Sequence, residues 1–279
     1  EKGMKKLNKW IAGLLCMMLV ITMVAGLGVT EVKADDAVTT VSSWNELKNA
    51  ISKGGNIQLG NDIVAETGDY SFNVNKNVTI DLNGYKIDRN LNEQQDNVFS
   101  VIAGGTLIIK DTSEGQNGKI TGGWAMEITV NGGWANEDYA GGINVREGTL
   151  ILESGNIVGN RSNRTFTKRG GGVAVFYNGT FIMRGGKISG NEAGYGAGVV
   201  VLDNCNFEMT GGEITDNICD FGEYQNQVGA GVFAYQGADV TIGGSANIYG
   251  NKNSNDENSN LYIYRYKSSE KINLSTTVP

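Results

Sequence analysis

The stretch GGVAVFYNGTFIMRGGKISGN, residues Gly171–Asn191, decides the fold because it recurs along the chain. Degraded copies of it span Gly141–Asn160, Ala197–Asn217 and Ala230–Asn251, and each copy closes on Gly-Asn or Asp-Asn. Every copy holds three short runs of alternating apolar residues, which glycine or polar residues separate. A repeat of this length is typical of a solenoid, in which each repeat forms one coil and packs on its neighbours.

The spacing of the copies separates the coil from its loops. Equivalent isoleucines mark the register: Ile157, Ile188, Ile214 and Ile248. Their spacings are 31, 26 and 34 residues, so the step of 26 residues is the bare coil. The longer steps place most of their extra residues in the loops Arg161–Gly170 and Ile218–Gly229, as stacking of neighbouring coils requires.

Alternate residues of a strand point to the same face, which predicts the core of each coil. The inward positions of two successive copies are Val173, Val175, Phe181, Met183 and Ile188, followed by Val199, Val201, Phe207, Met209 and Ile214. We therefore predict an all-β fold, a right-handed parallel β-helix with three strands in each coil of about 26 residues plus loop inserts.

Residues 1–34 have the pattern of a signal peptide. A basic segment with Lys5, Lys6 and Lys9 precedes the apolar run Trp10–Val29, and Val32-Lys33-Ala34 is a cleavage site of the small-x-small type. The alternative is a retained membrane anchor, because a run of about 20 apolar residues is long enough to span a bilayer. The signal peptide predicts a secreted or cell-surface protein that begins at Asp35.

Composition agrees with export. Residues 1–34 hold five of the 23 basic and two of the 30 acidic residues, so the rest of the chain carries a net charge of −10. This charge argues against nucleic acid and, after signal cleavage, against an anionic membrane as partner. Cys205 and Cys219 remain after cleavage. Either they form a disulfide, or Cys205 fills the corner place that Gly179 holds and Cys219 lies in a loop.

Residues 35–61 are predicted to cap the first coil. The sequence Ser43-Trp44-Asn45-Glu46 is a capping box, and Trp44, Leu47, Ala50 and Ile51 form the apolar face of a short helix. Such a cover is needed because the end of a solenoid exposes apolar core and strand edges. Residues 62–279 form the β-helix domain, which we expect to continue into a missing C-terminal region.

A family resemblance begins at the first coil. The segment NVTIDLNGYKI (Asn77–Ile87), which follows a cap helix and the strand GGNIQLGNDI, resembles the opening of bacterial secreted proteins of the pectin-lyase-like parallel β-helix superfamily. The glycine-rich repeats resemble the surface-protein branch of that superfamily. The resemblance implies the fold and the compartment, but its members include polysaccharide lyases, hydrolases, phage tailspikes and adhesins, so it does not imply one activity.

Two sets of aromatic and apolar residues are candidate ligand-binding positions. Trp124, Trp134 and Tyr139 lie in the insert Gly122–Ala140, where the rings either stack on sugars or pack on the solenoid. The other set is an apolar ladder on the outer face of the first strand of each coil: Ala174 and Phe176, Val200 and Leu202, Phe233 and Tyr235. An exposed ladder marks an interaction site, and the alternative is that neighbouring inserts cover it.

Charged loops beside the ladder suggest a candidate metal site. Asp216, Asp220 and Glu223 offer the oxygen ligands that Ca²⁺ prefers. In lyases of the resembled superfamily, carboxylates hold Ca²⁺ and an arginine or lysine is the base, a role for which Arg169 and Lys168 are candidates. The alternative is solvated loop charge with weak surface ion pairs. Apart from this Ca²⁺, the sequence indicates no cofactor.

Other features exclude several kinds of chemistry. The chain has no histidine, which excludes a Ser-His-Asp or Cys-His nucleophile and a zinc site with histidine ligands. Asp81 and Asp203 are isolated and fit corner positions rather than a catalytic pair. The recurring Asn160, Asn191, Asn217 and Asn251 predict a structural ladder of stacked amides.

These patterns favour a binding protein. We predict a secreted or cell-surface β-helix protein, adhesin-like, that binds carbohydrate or a cell-surface protein and shows no catalytic constellation. A Ca²⁺-dependent lyase of acidic polysaccharide is the enzyme alternative. A structural stalk for a missing domain is the third hypothesis.

Overall fold

A computed structural model describes residues 37–93, 95–125, 140–162, 169–220 and 229–264, together with the backbone of 129–130, 133–134 and 273–275. The predicted signal peptide therefore lies outside the described residues. Across those that are described, no helix is both long and apolar enough to cross a membrane.

The described chain contains one helix, α1 (Trp44–Lys53), and many short strands. The first strands are β1 (Thr39–Val41), β2 (Gly55–Leu59), β3 (Ile63–Val64), β4 (Phe72–Val74), β5 (Asn77–Asp81), β6 (Lys86–Asp88), β7 (Phe99–Val101), β8 (Thr106–Lys110), β9 (Lys119–Thr121), β10 (Thr129–Val130), β11 (Gly133–Trp134), β12 (Ile143–Arg146), β13 (Thr149–Leu152) and β14 (Asn156–Val158). The following strands are β15 (Val173–Phe176), β16 (Thr180–Met183), β17 (Lys187–Ser189), β18 (Glu192–Ala193), β19 (Val199–Val201), β20 (Asn206–Met209), β21 (Glu213–Thr215), β22 (Ile218–Cys219), β23 (Val232–Tyr235), β24 (Asp239–Ile242), β25 (Asn247–Tyr249), β26 (Lys252–Asn253), β27 (Leu261–Tyr264) and β28 (Asn273–Ser275).

The strands stack into parallel sheets that wind as a β-solenoid. Sheet A has nine strands in the order β1-β2-β5-β8-β13-β16-β20-β24-β28, and sheet B has seven in the order β3-β6-β9-β14-β17-β21-β25. Sheet C has seven in the order β4-β7-β12-β15-β19-β23-β27, and sheet D has three in the order β18-β22-β26. Each coil passes through sheets C, A and B in turn, which confirms the predicted parallel β-helix with three strands per coil.

The register follows the sequence repeat. Ile157, Ile188, Ile214 and Ile248 pair in succession along sheet B. All ten residues predicted to point inward have at most 1% of their surface exposed. Period-2 alternation therefore identified the core, because a slip of one residue would have turned every one of these side chains outward.

The predicted asparagine ladder is confirmed. Asn160, Asn191, Asn217 and Asn251 are fully buried, and the Oδ1 of each of the last three accepts hydrogen bonds from the backbone N–H and the Nδ2 of the asparagine one coil before it, at 2.8–3.2 Å. Asn260, which the repeat did not indicate, continues the ladder by accepting from Asn251.

Two separate requirements explain why glycine occupies the corners of the coils. Gly170, Gly196 and Gly229 have positive φ values of 68°, 60° and 46°, which glycine adopts without strain. Gly198, in contrast, is needed because a Cβ there would collide with the carbonyl oxygen of Gly231 on the next coil. A positive φ therefore explains only part of each glycine cluster, and close stacking of the coils explains the rest.

Helix α1 covers the N-terminal end of the core, as predicted. Trp44, Leu47, Ala50 and Ile51 are buried, and the Trp44 ring stacks on Phe72 with centroids 4.2 Å apart. The Oγ of Ser43 accepts a hydrogen bond from the Glu46 N–H at 3.3 Å. The Glu46 carboxylate differs from the expected capping box, because it accepts from the N–H of Ser42 at 2.8 Å.

Both cysteines of the described chain are buried and form no disulfide with each other, so the disulfide alternative is wrong. Cys205 occupies the corner position that Gly179 holds one coil earlier, and its N–H donates to the carbonyl of Leu202 as that of Gly179 donates to Phe176. Cys219 belongs to β22, where its Sγ accepts from the Ala197 N–H at 3.3 Å.

Candidate functional site

The outer face of sheet C carries two columns of side chains that run along the solenoid. The parallel register places four residues in the first column: Ala174, Val200, Phe233 and Tyr262. The second column lies two residues further along each strand: Phe176, Leu202, Tyr235 and Tyr264. The columns therefore contain the predicted apolar ladder and extend it by one coil.

Much of this ladder is covered. Ala174, Phe176, Val200 and Phe233 expose 2%, 4%, 1% and 5% of their surface. They form a second apolar core with residues from sheet D and the loops behind it: Ala193, Tyr195, Ala197, Cys219 and Ala230. The expectation that the ladder meets water is wrong for these four residues, because sheet D and the described residues Tyr195, Ala197 and Ala230 pack on them.

The C-terminal part of the same columns remains partly accessible. Leu202, Tyr235, Tyr262 and Tyr264 are half-buried and pack against the second core from outside. We call this surface, together with Tyr195 and Arg169 at its edge, the aromatic face. It presents three tyrosine rings on two successive strands, β23 and β27, to the surface of the solenoid.

Contacts between the rings fix their positions. Phe233 lies under the face, with its ring centroid 5.5 Å from Tyr262 and 6.3 Å from Tyr264 in stacked orientations. Tyr235 and Tyr264 meet edge to face at 5.6 Å, and Tyr195 lies 4.7 Å from Phe233. Aromatic contacts at such distances are favourable beyond the area that they bury, so the rings form a preorganised surface.

Arg169 adds a positive charge to the aromatic face. Its guanidinium carbon lies 5.5 Å from the Tyr195 ring centroid and 5.1 Å from that of Tyr235, within the range of cation–π attraction. Its Nε donates to the Tyr195 hydroxyl, which is 3.1 Å from the Tyr235 hydroxyl. The face therefore combines apolar ring surface with a hydrogen-bonding edge, as binding sites for polar ligands with apolar surfaces do.

The predicted tryptophan pair is only partly described. Trp124 is half-buried, and the Arg161 guanidinium carbon lies 4.2 Å from its ring centroid. The indole Nε1 is buried and has no hydrogen-bond partner in the described part of the chain. Trp134 pairs through its backbone with Thr129, and its side chain and Tyr139 lie outside the described residues. Saccharide binding by this insert stays a prediction.

The carboxylates proposed for calcium are also partly described. Asp216 is exposed at a corner with φ 57°, and Asp220 is half-buried, with its N–H donating to the Ala193 carbonyl. Glu223 and Lys168 lie outside the described residues. Within the ranges that the structure describes, no three acidic or sulfur side chains are grouped closely enough to hold a metal ion. The calcium site stays a prediction.

Asp81 has the structural role that its corner position predicted. Burial of its carboxyl opposes ionisation, but hydrogen bonds from the Thr112 hydroxyl and N–H, from Gln58 and from the Asn83 N–H bring its pKa below the ordinary value of 3.8. The carboxylate thus links its own coil to Gln58 on the coil before it and to Thr112 on the coil after it.

Sequence reasoning missed Tyr195, Tyr262 and Tyr264. Tyr195 lies in the segment GYGAG, in which two glycines follow the repeat and the tyrosine does not. The signal for the other two was present, because Leu261–Tyr264 alternates as Val232–Tyr235 does and begins one further coil. Their place in the ladder was not recognised, because the polar segment Asn251–Asn260 precedes this strand and interrupts the repeat.

Comparison of the chain with known proteins yields no match to a family model, to a curated protein or to a solved structure. The structure defines the class of fold, which is a parallel β-solenoid with a capped N-terminal end.

Proposed function

We propose that the chain is a secreted or cell-surface protein that binds carbohydrate on the aromatic face, and that it belongs with the bacterial pectin-lyase-like β-helix proteins. The observation that carries the proposal is the half-buried row Tyr235, Tyr262 and Tyr264, supported from below by Phe233. Aromatic surface that a fold keeps partly accessible, instead of covering it as it covers Phe176, is a candidate contact surface.

The chemistry of the face suits a sugar better than a purely apolar ligand. A pyranose ring has an apolar face of C–H groups, which packs on an aromatic ring, and a rim of hydroxyls. The tyrosine hydroxyls and Arg169 supply hydrogen-bonding groups beside the rings. Because Tyr235 and Tyr264 repeat at the spacing of adjacent strands, the face is also suited to successive units of a polysaccharide.

Affinity electrophoresis of the purified chain on a panel of polysaccharides tests the proposal. We expect at least one glycan to retard the protein, and we expect Tyr262→Ala and Tyr264→Ala to weaken that affinity about tenfold or more, since aromatic residues at the centre of an interface dominate binding. Tyr249→Ala is the matched control, because Tyr249 is an exposed tyrosine on sheet B, whereas sheet C carries the aromatic face.

Three results would contradict this function. If no glycan binds, the remaining hypotheses are a protein partner and a structural stalk. An equal loss of affinity in the Tyr249 variant would show that the effect is not local to the aromatic face. Formation of unsaturated product from an acidic glycan in the presence of Ca²⁺ would identify the protein as a lyase instead.

A further inference from the structure

A cavity of about 700 Å³ opens near the N-terminal end of the solenoid, on different strands from those of the aromatic face. Two loops form it, one after β3 and one after β6, and it includes Val64, Glu66, Arg89, Leu91 and Glu93. Its volume lies in the range of small-molecule sites in proteins. The function proposed above makes no use of it.

Arg89 lies at the base of this cavity with only 2% of its surface exposed. Its Nη2 donates to the Asp69 carbonyl at 2.6 Å and lies 3.9 Å from the Asp96 carboxylate, while its guanidinium carbon is 5.7 Å from the Trp44 ring centroid. Its Nε is buried, and no acceptor among the described residues meets it. Burial lowers the pKa of Arg89, and the charges of Asp96 and Asp69 oppose that effect.

A guanidinium has five N–H donors, and a buried donor without an acceptor is costly. The nearest carboxylate, that of Asp96, is at the outer limit of an ion pair and forms no hydrogen bond with Arg89 in the described structure. The charge of Arg89 is therefore only partly compensated, and a carboxylate at the base of the cavity would add to that compensation.

The rim of the cavity has the opposite charge. Glu66 and Glu93 are exposed, and neither carboxylate joins an ion pair with any part of the described chain. Val64, with 41% of its surface exposed, and the half-buried Leu91 provide apolar wall between rim and base. The cavity thus offers one buried positive group, two exposed negative groups and an apolar surface.

We propose that this cavity binds a small zwitterion, whose carboxylate accepts hydrogen bonds from Arg89 and whose ammonium group lies near Glu66 and Glu93. A simple anion would gain from Arg89 but would meet two negative charges at the rim. A simple cation would leave Arg89 without its acceptor. A free α-amino acid and a short peptide share the required chemistry and differ in the separation of their charges.

Ligand-observed saturation-transfer NMR on the full chain tests the proposal with four probes. L-Alanine and tri-L-alanine carry both charges, propanoate lacks only the ammonium group of alanine, and ethylamine lacks only its carboxylate. At least one zwitterion should bind about tenfold more tightly than propanoate and ethylamine, because each charged contact contributes on that scale. Whichever of L-alanine and tri-L-alanine binds more tightly shows whether the ligand is a free amino acid or a short peptide. Equal binding of all four probes, or no binding up to about 10 mM, would overturn the proposal.

Variants of the rim locate the site without disturbing the core. The double substitution Glu66→Gln and Glu93→Gln should weaken binding of the zwitterion about tenfold and remove its advantage over propanoate. Glu208→Gln, which changes an exposed glutamate on β20, should leave it unchanged. Arg89→Lys should abolish binding while circular dichroism confirms a folded chain; if that variant fails to fold, the rim variants decide. Unaltered binding after the double substitution would refute the site.

Discussion

The asparagine ladder makes the stability of the solenoid depend on single amides. Asn217 Oδ1 accepts from the N–H and Nδ2 of Asn191, at 3.1 and 2.9 Å. Its Nδ2 donates to Asn251 Oδ1 at 2.8 Å and to the carbonyls of Ile188 and Thr215, both at 3.0 Å. Asn217→Ala removes all five hydrogen bonds inside a fully buried corner.

The expected loss in the free energy of unfolding follows from the polar groups that lose a hydrogen-bond partner. Two groups keep a partner: Asn191 Nδ2 still donates to the Ile157 carbonyl, and Asn251 Oδ1 still accepts from the N–H of residue 217. The main losses are the acceptor of the Asn191 N–H and the donor to the carbonyls of Ile188 and Thr215. At about 1–3 kcal/mol for each buried group left unsatisfied, and with partial relaxation, Asn217→Ala should lower the free energy of unfolding by about 3–5 kcal/mol.

Urea unfolding followed by circular dichroism measures this loss. With a slope of about 2–3 kcal/mol per molar urea, the midpoint should fall by about 1–2.5 M. Asn206→Ala is the matched control on the same coil, because Asn206 is exposed and its side chain makes one weak contact of 3.4 Å with Thr180. The control should change the free energy by no more than about 0.5 kcal/mol. Equal effects of the two substitutions would refute the structural role of the ladder.

Three further predictions concern other buried groups. Cys205 and Cys219 should resist a thiol reagent at pH 8 in the folded chain and react after unfolding, because burial raises the pKa of both thiols; rapid reaction of folded protein would contradict this. The pKa of Asp81 is lower in the folded state than in the unfolded state, so its contribution to stability is present above about pH 4 and is lost as the pH falls through the folded value. Asp81→Asn should remove that part of the acid dependence of the urea midpoint, and an unchanged pH profile would count against it. Gly198→Ala should lower the free energy of unfolding by more than about 2 kcal/mol, because the added Cβ collides with the next coil. Gly190→Ala has open space around it and should lower that free energy by only about 1 kcal/mol, because of its positive φ. Equal urea midpoints of the two variants would contradict the close stacking.

Sequence reasoning succeeded where contacts repeat at fixed spacing. Ile188 and Ile214 could be aligned because each coil places its next strand in register on the last, and Phe181 and Phe207 could be assigned inward because alternation has only two faces. The asparagines were predictable for the same reason, since one residue type recurs at one corner.

Features that depend on loop paths could not be predicted. Phe176 and Phe233 were correctly placed on the outer face of sheet C, but nothing local indicates that residues of sheet D, with Tyr195 and Ala230, cover them. The burial of Arg89 depends likewise on Asp69, Trp44 and Asp96, which reach it from separate loops and the cap helix. Such contacts are set by tertiary packing and leave no periodic signal in the sequence.

Hydroxyl-radical footprinting with mass spectrometry tests the central claim most directly. The full chain is oxidised with and without the glycan that retards it most strongly, and the modification of each tyrosine is compared. The account predicts that bound glycan protects Tyr235, Tyr262 and Tyr264 and leaves the exposed Tyr70 and Tyr249 unchanged. Binding that protects none of these three tyrosines, or protection confined to another surface, would contradict the aromatic face as the binding site.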